Sequence, residues 1–398
     1  MASTPFATGD RGRRLRIALI TGSYDYIKDG VALTLNRLVA YLEGHGVDVL
    51  VFAPTAATPA FAHTGTVVSV PSIALPARPE YRLALGMPRS VRRRLKEFGP
   101  DIIHIAVPDL LGYRALRLAR QWNIPAVASY HTRYETYLKH YWYVAALTGL
   151  VKRYLRRFYA ACREVYVPSL SMAETLRADG LKDNFRLWPR GIDLARFAPT
   201  KRSAEWRSRH GIDASELVIL HVSRLVREKR IDVIDGTARR LLALGVAHRF
   251  VIVGDGPGRA ALERALPHAI FTGFLDGEDL ATAYASSDIF LFPSETESFG
   301  NVTLEAMASG LPCVCADATG SRSLVVAGVT GLLALPGCVE QFAEHVATLA
   351  GDSALRRRMG ADARKRSFDF SWDETMARIL GYYEALPGKP GMPLKAPP

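Results

Sequence analysis

Short apolar runs alternate with helix-period segments along nearly the whole chain, and they do so in two series. LRIALIT (15–21), VDVLVFAP (47–54), DIIHIAVP (101–108), PAVASYH (125–131) and EVYVPS (164–169) make up the first. ELVILHVS (216–223), RFVIVGDG (249–256), AIFTG (269–273), DIFLFPS (288–294) and PCVCAD (312–317) make up the second. Strands that are apolar on both faces belong in parallel sheets covered by helices on both sides. The intervening segments supply such helices: Leu35, Leu38, Val39 and Leu42 keep the i, i+3, i+4, i+7 spacing. The alternation predicts an α/β fold of two open, mostly parallel, doubly wound sheets. The series part at PRGIDLARFAPT (189–200), where two prolines and a glycine interrupt the pattern. The predicted organisation is a first domain at 1–195 and a second at 196–368. Closing helices follow at 369–386, anchored by Trp372, then a disordered Pro/Gly-rich tail at 387–398. With 398 residues, each domain has enough chain for its own core.

Open α/β sheets bind ligands at the carboxyl ends of their strands, where helix N-termini favour phosphates. Two such domains with a cleft between them gather both sets of strand ends around one crevice. The segments that follow the strands are therefore where chemistry belongs.

The richest of these is PSETESFGNVTLEAMASGLP (293–312). Glu297 falls in the loop after a strand, Glu305 inside the helix that follows, and Gly300 and Asn301 at the turn between them. Backbone N–H groups at that turn can meet an anion or a sugar hydroxyl. Ionised carboxylates accept hydroxyl hydrogens well, so one can contact a sugar and the other a ribose diol. The same residues also suit a solvated helix start with acids near its positive end.

In HVSRLVREKRID (221–232), Arg224 and Lys229 follow the first strand of the second series. A strand-to-helix loop with two cations can hold a diphosphate, Arg by its fork and Lys as a point charge. An ordinary charged surface loop has the same composition, and Arg227 and Arg230 read as that kind. GDGPGR (254–259) is a tight loop after a strand but not a full GxGxxG. In the first half, Asp29-Gly30-Val31 opens a helix, and Gly30 permits close backbone approach. His131 ends a strand in ASYHT. No two aspartates are separated by one residue, and GxxxxGK[ST], GxSxG and HExxH are missing.

The formal net charge is +12. Residues 1–199 hold 28 of the 51 Lys+Arg and 15 of the 39 Asp+Glu, so the whole excess lies in the first half. An acidic partner approached by bulk electrostatics meets that half. The basic RGRRLR before IALITGS resembles a leader, but its apolar run is short and is soon followed by Asp25, Lys28 and Asp29. It reads as a disordered start and a first strand. No stretch approaches the roughly 20 apolar residues of a spanning helix. Cys162, Cys313, Cys315 and Cys338 form no CxxC pair and read as reduced core thiols, which fits the cytoplasm.

Together, PSETESFG with its Glu297/Glu305 spacing, HVSRL followed by EK, VGDGPGR, RGIDLARF and DGVALTLNRL resemble the retaining glycosyltransferases of family four, from about residue 15 to 386. DGVA and TESFGNVTLEAMASGLP resemble the branch containing sulfolipid synthase and the α-mannosyl- and α-glucuronosyl-transferases of bacterial glycolipids. The resemblance implies a GT-B fold, two doubly wound Rossmann-like domains facing each other across a cleft. It implies a metal-independent retaining transfer from a nucleotide sugar. UDP and GDP sugars both fit these loops; a UDP sugar is favoured because it is the commoner donor, with GDP-mannose as the other option. It implies that Arg224 and Lys229 hold the diphosphate, that Glu305 binds the ribose, and that Glu297 contacts the donor sugar with amides near Phe299, Gly300 and Asn301. Gly30 would lie against the phosphates, His131 beside the reacting sugar, and Val253 and Gly254 near the base. No cofactor beyond the donor is implied.

The acceptor side is read from the basic excess. Arg89, Arg92, Arg93, Arg94 and Lys96 form one cluster and segment 133–163 another. If 147–159 is helical, Leu147, Val151, Tyr154, Leu155 and Phe158 share one face, and Lys152, Arg153, Arg156 and Arg157 the other. With the tyrosines upstream this reads as an interfacial element on anionic lipid. An amphipathic helix packed into the first domain has the same pattern. The expectation is a lipid or lipid-linked acceptor, an enzyme peripheral on the inner face of the plasma membrane through 89–96 and 133–163, and no nucleic-acid partner. The alternatives are a soluble acceptor or a non-catalytic nucleotide-sugar-binding protein.

Overall fold

A computed structural model describes residues 13–75, 78–130 and 148–386 of the chain. The chain divides into two compact units. The first comprises Met1–Val167, Leu176–Trp188 and Met376–Pro398; the second comprises Pro168–Thr175 and Pro189–Thr375. The first series thus does not run unbroken to 195, because Pro168–Thr175 groups with the second unit.

The first unit contains strands β1 (Arg16–Ile20), β2 (Asp48–Ala53), β3 (Thr66–Ser69), β4 (Ser72–Leu75), β5 (Arg78–Ala84), β6 (Ile102–Ile105), β7 (Ala126–Ser129), β8 (Glu164–Val167) and β9 (Phe185–Leu187). Seven of them form a parallel sheet in the order β3-β2-β1-β6-β7-β8-β9, and β4 and β5 pair separately as an antiparallel hairpin. All five predicted runs of the first series are strands here. The helix Gly30–Gly44 buries Leu35, Leu38, Val39 and Leu42, the face its spacing requires.

The second unit contains β10 (Val218–Val222), β11 (Arg249–Val253), β12 (Ile270–Gly273), β13 (Ile289–Phe292), β14 (Cys313–Ala316) and β15 (Gly331–Ala334). They form one sheet in the order β12-β11-β10-β13-β14-β15. Successive side chains enter different cores. Val218, Leu220 and Val222 pack with Phe290, Phe292, Cys313 and Cys315 on one face. Ile219, Ile252, Leu291, Val314 and Ala316 pack on the other. Burial on both faces is why these strands read as continuous apolar runs. Each Val, Leu, Ile or Phe among them contributes about 1.5–3 kcal/mol. Cys162, Cys313 and Cys315 are buried thiols as expected, but Cys338 is only partly buried, because it sits at the start of a surface helix.

The strand order reverses between β10 and β13 in the second sheet and between β1 and β6 in the first. At such a switch point, helices on opposite faces leave the carboxyl strand ends exposed. The loops after β10 and β13, Ser223–Lys229 and Pro293–Gly300, leave the sheet side by side there.

The helix Trp372–Ala385 begins with the second unit and from Met376 belongs to the first. Inside the first unit, the Tyr383 hydroxyl lies 2.6 Å from Nδ1 of the buried His104, whose Nε2 meets the Ser129 hydroxyl at 3.0 Å. Inside the second, Gly191 lies so close to Trp372 that an added Cβ would sit 2.3 Å from the indole.

The helix Thr148–Ala160 settles how its apolar face is used. Leu155, Phe158 and Tyr159 are buried in the first unit, and the Tyr154 hydroxyl donates to the Pro108 carbonyl at 2.9 Å. Of the face expected to enter lipid, Leu155 and Phe158 are core and Val151 and Tyr154 half-buried, while Leu150 and the arginines point outward. Leu147 lies outside the described residues.

Candidate active site

The loop after β10 is braced from beneath. His221 is fully buried, with Nδ1 3.0 Å from the Leu291 carbonyl and Nε2 2.8 Å from the Ser223 hydroxyl. That hydroxyl donates to the Arg224 carbonyl at 2.9 Å. Burial pushes the imidazole down to about 4, so it is a neutral prop. The GDGPG loop supplies a second brace. Ser223 N donates to the Val253 carbonyl, Leu225 N to the Asp255 carbonyl, and Gly258 N to the Leu225 carbonyl, all within 3.1 Å. Gly254, at φ +119°, lies against this loop. A Cβ there would sit 1.9 Å from the Ser223 carbonyl oxygen, so no other residue fits.

Arg224 and Lys229 hang from this braced loop. Arg224 is three-quarters exposed, 4.0 Å from Glu228. Lys229 ends a short 3-10 turn and is mostly buried; its ammonium donates to the Glu297 carboxylate and lies 5.9 Å from the Phe292 ring centre. Glu297 also accepts from the Ser294 hydroxyl at 3.2 Å. These residues open onto a cavity of about 310 Å³, lined additionally by Arg190, Val222, Ser223, Ser298, Phe299, Gly300, Asn301 and Val302.

One wall of the cavity is a helix start. Gly300, at φ +93°, is the N-cap of Asn301–Ala308 and offers no side chain to the first-turn amides. An uncapped first turn turns its N–H groups and partial positive charge toward whatever lies in front of it. The cavity therefore collects two cations, a third from Arg190, an open helix N-terminus and one carboxylate, a set complementary to a diphosphate joined to a hydroxylated group.

Glu305 lies deeper on the same helix and does not line this cavity. Its Oε2 accepts from the Tyr284 hydroxyl at 2.9 Å. Burial pushes its carboxyl up from 4.5 to about 7, opposed by the Tyr284 hydrogen bond and the charge of Arg196.

Other expected residues fall differently. The Val253 side chain is core, 1% exposed, so only its backbone is available to a ligand. Gly254 packs against the Ser223 carbonyl beneath the loop. Arg230 is not an ordinary surface charge: at φ +55° it ion-pairs with both Asp232 and Glu295 and ties the loops after β10 and β13 together. Gly30 opens its helix as expected, with no atom within 4 Å of where a Cβ would stand. Asp29 caps that helix, accepting from the amides of Val31 and Ala32, so two first-turn donors are already engaged. His131 lies outside the described residues. Arg190 was missed: it stands in RGIDLARF, which carries a linker signal, and nothing in its spacing points to a cavity.

Residues 28–196 match the family described as Glycosyltransferase Family 4, and residues 202–366 match Glycosyl transferases group 1. A GDP-mannose-dependent alpha-mannosyltransferase of Mycobacterium tuberculosis is 36% identical over 94% of this chain and 98% of its own length. Sulfoquinovosyl transferase SQD2 of Arabidopsis thaliana is 32% identical over 92% of this chain and 72% of its own. Among solved structures, sucrose-phosphate synthase from Thermosynechococcus elongatus superposes with a TM-score of 0.73 at 23% identity, covering 94% of this chain and 99% of that one. Two Rossmann-like units of this topology define the GT-B class of nucleotide-sugar glycosyltransferases. The chain belongs to glycosyltransferase family four, whose members retain anomeric configuration, and it is an enzyme.

Proposed function

We propose that the chain transfers mannose from GDP-mannose, with retention, to a lipid or lipid-linked acceptor at the cytoplasmic face of a membrane. The observation that carries the reading is the cavity in which Lys229, Arg224 and the open N-terminus of Asn301–Ala308 surround Glu297. The donor preference rests on the relatives from Mycobacterium tuberculosis and Corynebacterium glutamicum, both GDP-mannose-dependent alpha-mannosyltransferases, and moves the donor away from the UDP sugar expected first. The acceptor class is supported by a relative that is an alpha-monoglucosyldiacylglycerol synthase of Streptococcus pneumoniae. Among the described residues no helix is long and apolar enough to cross a membrane.

In this reading Lys229 and Arg224 hold the two phosphates, Arg190 adds a third cation, and amides from Phe299 to Asn301 complete the cradle. The bond from the anomeric carbon to the diphosphate breaks, its electron pair stays on the leaving oxygen, and these groups stabilise that charge. The acceptor oxygen bonds to the anomeric carbon on the same face and passes its proton to the leaving diphosphate. Glu297 exchanges its bond to Lys229 for sugar hydroxyls as phosphate takes the ammonium. Glu305 accepts from the ribose.

The test is a thermal-shift series with GDP, UDP and their sugars, followed by transfer assays on extracted lipids. GDP and GDP-mannose are expected to raise the melting temperature most, with a mannolipid as product. Stabilisation by UDP alone overturns the donor; no stabilisation by any nucleotide overturns the site.

A further inference from the structure

The seam between helices Leu110–Gln121 and Thr148–Ala160 is a second charged cavity, in the first unit and outside the machinery described above. It has a volume of about 640 Å³. Arg117, Arg120, Arg153 and Arg157 line it, all exposed. None of their side chains has an ion-pair or hydrogen-bond partner among the described residues. The contrast with the next turns is plain: Lys152 pairs with Asp179 at 3.5 Å, and Arg156 donates to the Asp179 carbonyl at 2.8 Å. Neither helix contains an acidic residue, so no internal anion is in place for the four. The furrow continues into a cavity of about 490 Å³ that shares Arg120 and adds Arg163 and Lys182.

Like charges this close repel, and a chain that keeps them unpaired gains only if an external anion meets them. Arg117 and Arg120 are three residues apart, Arg153 and Arg157 four, so each pair spans one turn along its helix. The cations are therefore spread along two helices, which suits several phosphates better than one. The rest of the lining is apolar. Leu116 and Phe158 form the floor, and Tyr113 and Leu150 stand on the rim, 40% and 64% exposed. Exposed Leu beside arginine is of no use to a nucleic-acid backbone but fits the boundary between head groups and acyl chains.

We propose that this furrow docks the chain on an acidic phospholipid surface, its arginines taking the phosphodiester head groups and Tyr113 and Leu150 resting at the boundary beneath them. This extends the lipid-acceptor reading but does not depend on donor chemistry. Because the apolar face of Thr148–Ala160 is already core, docking is electrostatic and does not insert the helix, so salt abolishes it. The Arg89–Phe98 cluster is a separate surface in which Arg93 and Arg94 already face Glu97.

The test uses the full chain and vesicles of phosphatidylcholine alone or mixed in equal parts with phosphatidylglycerol, read by co-sedimentation. Wild type is expected to bind only the acidic vesicles and to be released by high salt. Replacing Arg117, Arg120, Arg153 and Arg157 by Ser should weaken binding by about fivefold per arginine. The charge-matched control, Ser at Arg89, Arg92, Arg93 and Arg94, should bind nearly as wild type. Both variants should keep the wild-type melting temperature and its shift with GDP, which separates this surface from the donor site. Equal loss in both variants, salt-resistant binding, or no binding of wild type to acidic vesicles overturns the proposal. So does a preference for single-stranded oligonucleotide in competition with the vesicles. Release of wild type from acidic vesicles by inorganic phosphate at constant ionic strength would make it a site for free phosphate and overturn the lipid assignment.

Discussion

The Tyr284 hydroxyl donates to the Glu305 carboxylate across 2.9 Å, and that bond does not suffice to keep the buried carboxyl at an ordinary acidity. Folded Glu305 titrates near 7, against 4.5 when exposed. Between those values the folded chain holds a proton that the unfolded chain releases. Stability from this group therefore falls as pH rises from 4.5 to 7, by up to about 1.4 kcal/mol per unit, and is flat above. Glu305→Gln should remove that slope, seen as a wild-type-minus-variant melting curve that descends through the window. Nucleotide affinity should run the other way, rising toward pH 8 in wild type, because the ionised carboxylate is the better acceptor for ribose hydroxyls. Parallel melting curves for the two proteins would contradict the burial argument.

The Lys229–Glu297 ion pair makes an ordering of affinities testable. Lys229→Ala removes a phosphate partner and leaves Glu297 uncompensated beside the diphosphate, so GDP affinity should fall about 10- to 100-fold. Removing the carboxylate as well, in Lys229→Ala/Glu297→Ala, should restore part of it. Calorimetric titration of the two variants gives the order directly, and a double variant weaker than Lys229→Ala would show that Glu297 does not oppose phosphate. Glu297→Gln alone should bind GDP normally and lose about 100-fold or more in turnover.

Gly254 supports the site without touching the cavity. In Gly254→Ala the new carbon meets the Ser223 carbonyl at 1.9 Å from a backbone at φ +119°, so the loop carrying Arg224 must move. The expected cost is about 2–4 kcal/mol of stability together with weaker nucleotide binding. Gly46→Ala is the comparison, since its φ is also positive but nothing lies within 4 Å of the added carbon. A similar small loss of stability in both, with nucleotide affinity intact, would remove Gly254 from the support of the site.

Much of the architecture is legible because parallel strands buried on both faces must be continuously apolar, and β1, β2, β10, β11 and β13 are. Two of the strands that escape notice lack this property. Thr66–Ser69 is a four-residue edge with an exposed Thr and Ser, and Phe185–Leu187 is three residues long. The carboxylates and cations of the cavity are visible as motifs because each follows a strand end. Arg190 is not, because its place beside Glu297 comes from tertiary folding of a linker. Helical spacing shows that Leu155 and Phe158 share a face but not what covers it; core and lipid impose the same period, and only the packed structure assigns them to the core. The membrane reading consequently shifts from that apolar face to the arginines behind it.

The tie between His104 and Tyr383 predicts how acid acts on the first unit. His104 is buried without a compensating charge and is pushed down to about 3, whereas an exposed imidazole titrates near 6.5. Between pH 3 and 6.5 the unfolded chain binds a proton that the folded chain refuses. The stability linked to His104 is thus complete above 6.5 and is lost progressively as pH falls, at up to about 1.4 kcal/mol per unit. His104→Gln should flatten the acid limb of the unfolding curve while leaving stability at pH 8 lower by the lost packing. Tyr383→Phe keeps the ring but strips the hydroxyl from Nδ1, leaving a buried polar atom unpaired at a cost of about 1–3 kcal/mol that persists at every pH. Because the helix from Met376 onward packs within the first unit, that loss should appear as faster amide exchange across residues 376–385. Strands β13 and β14 of the second unit should exchange unchanged. Equal acceleration in both places would mean that the Tyr383 bond supports the whole chain and not the first unit alone.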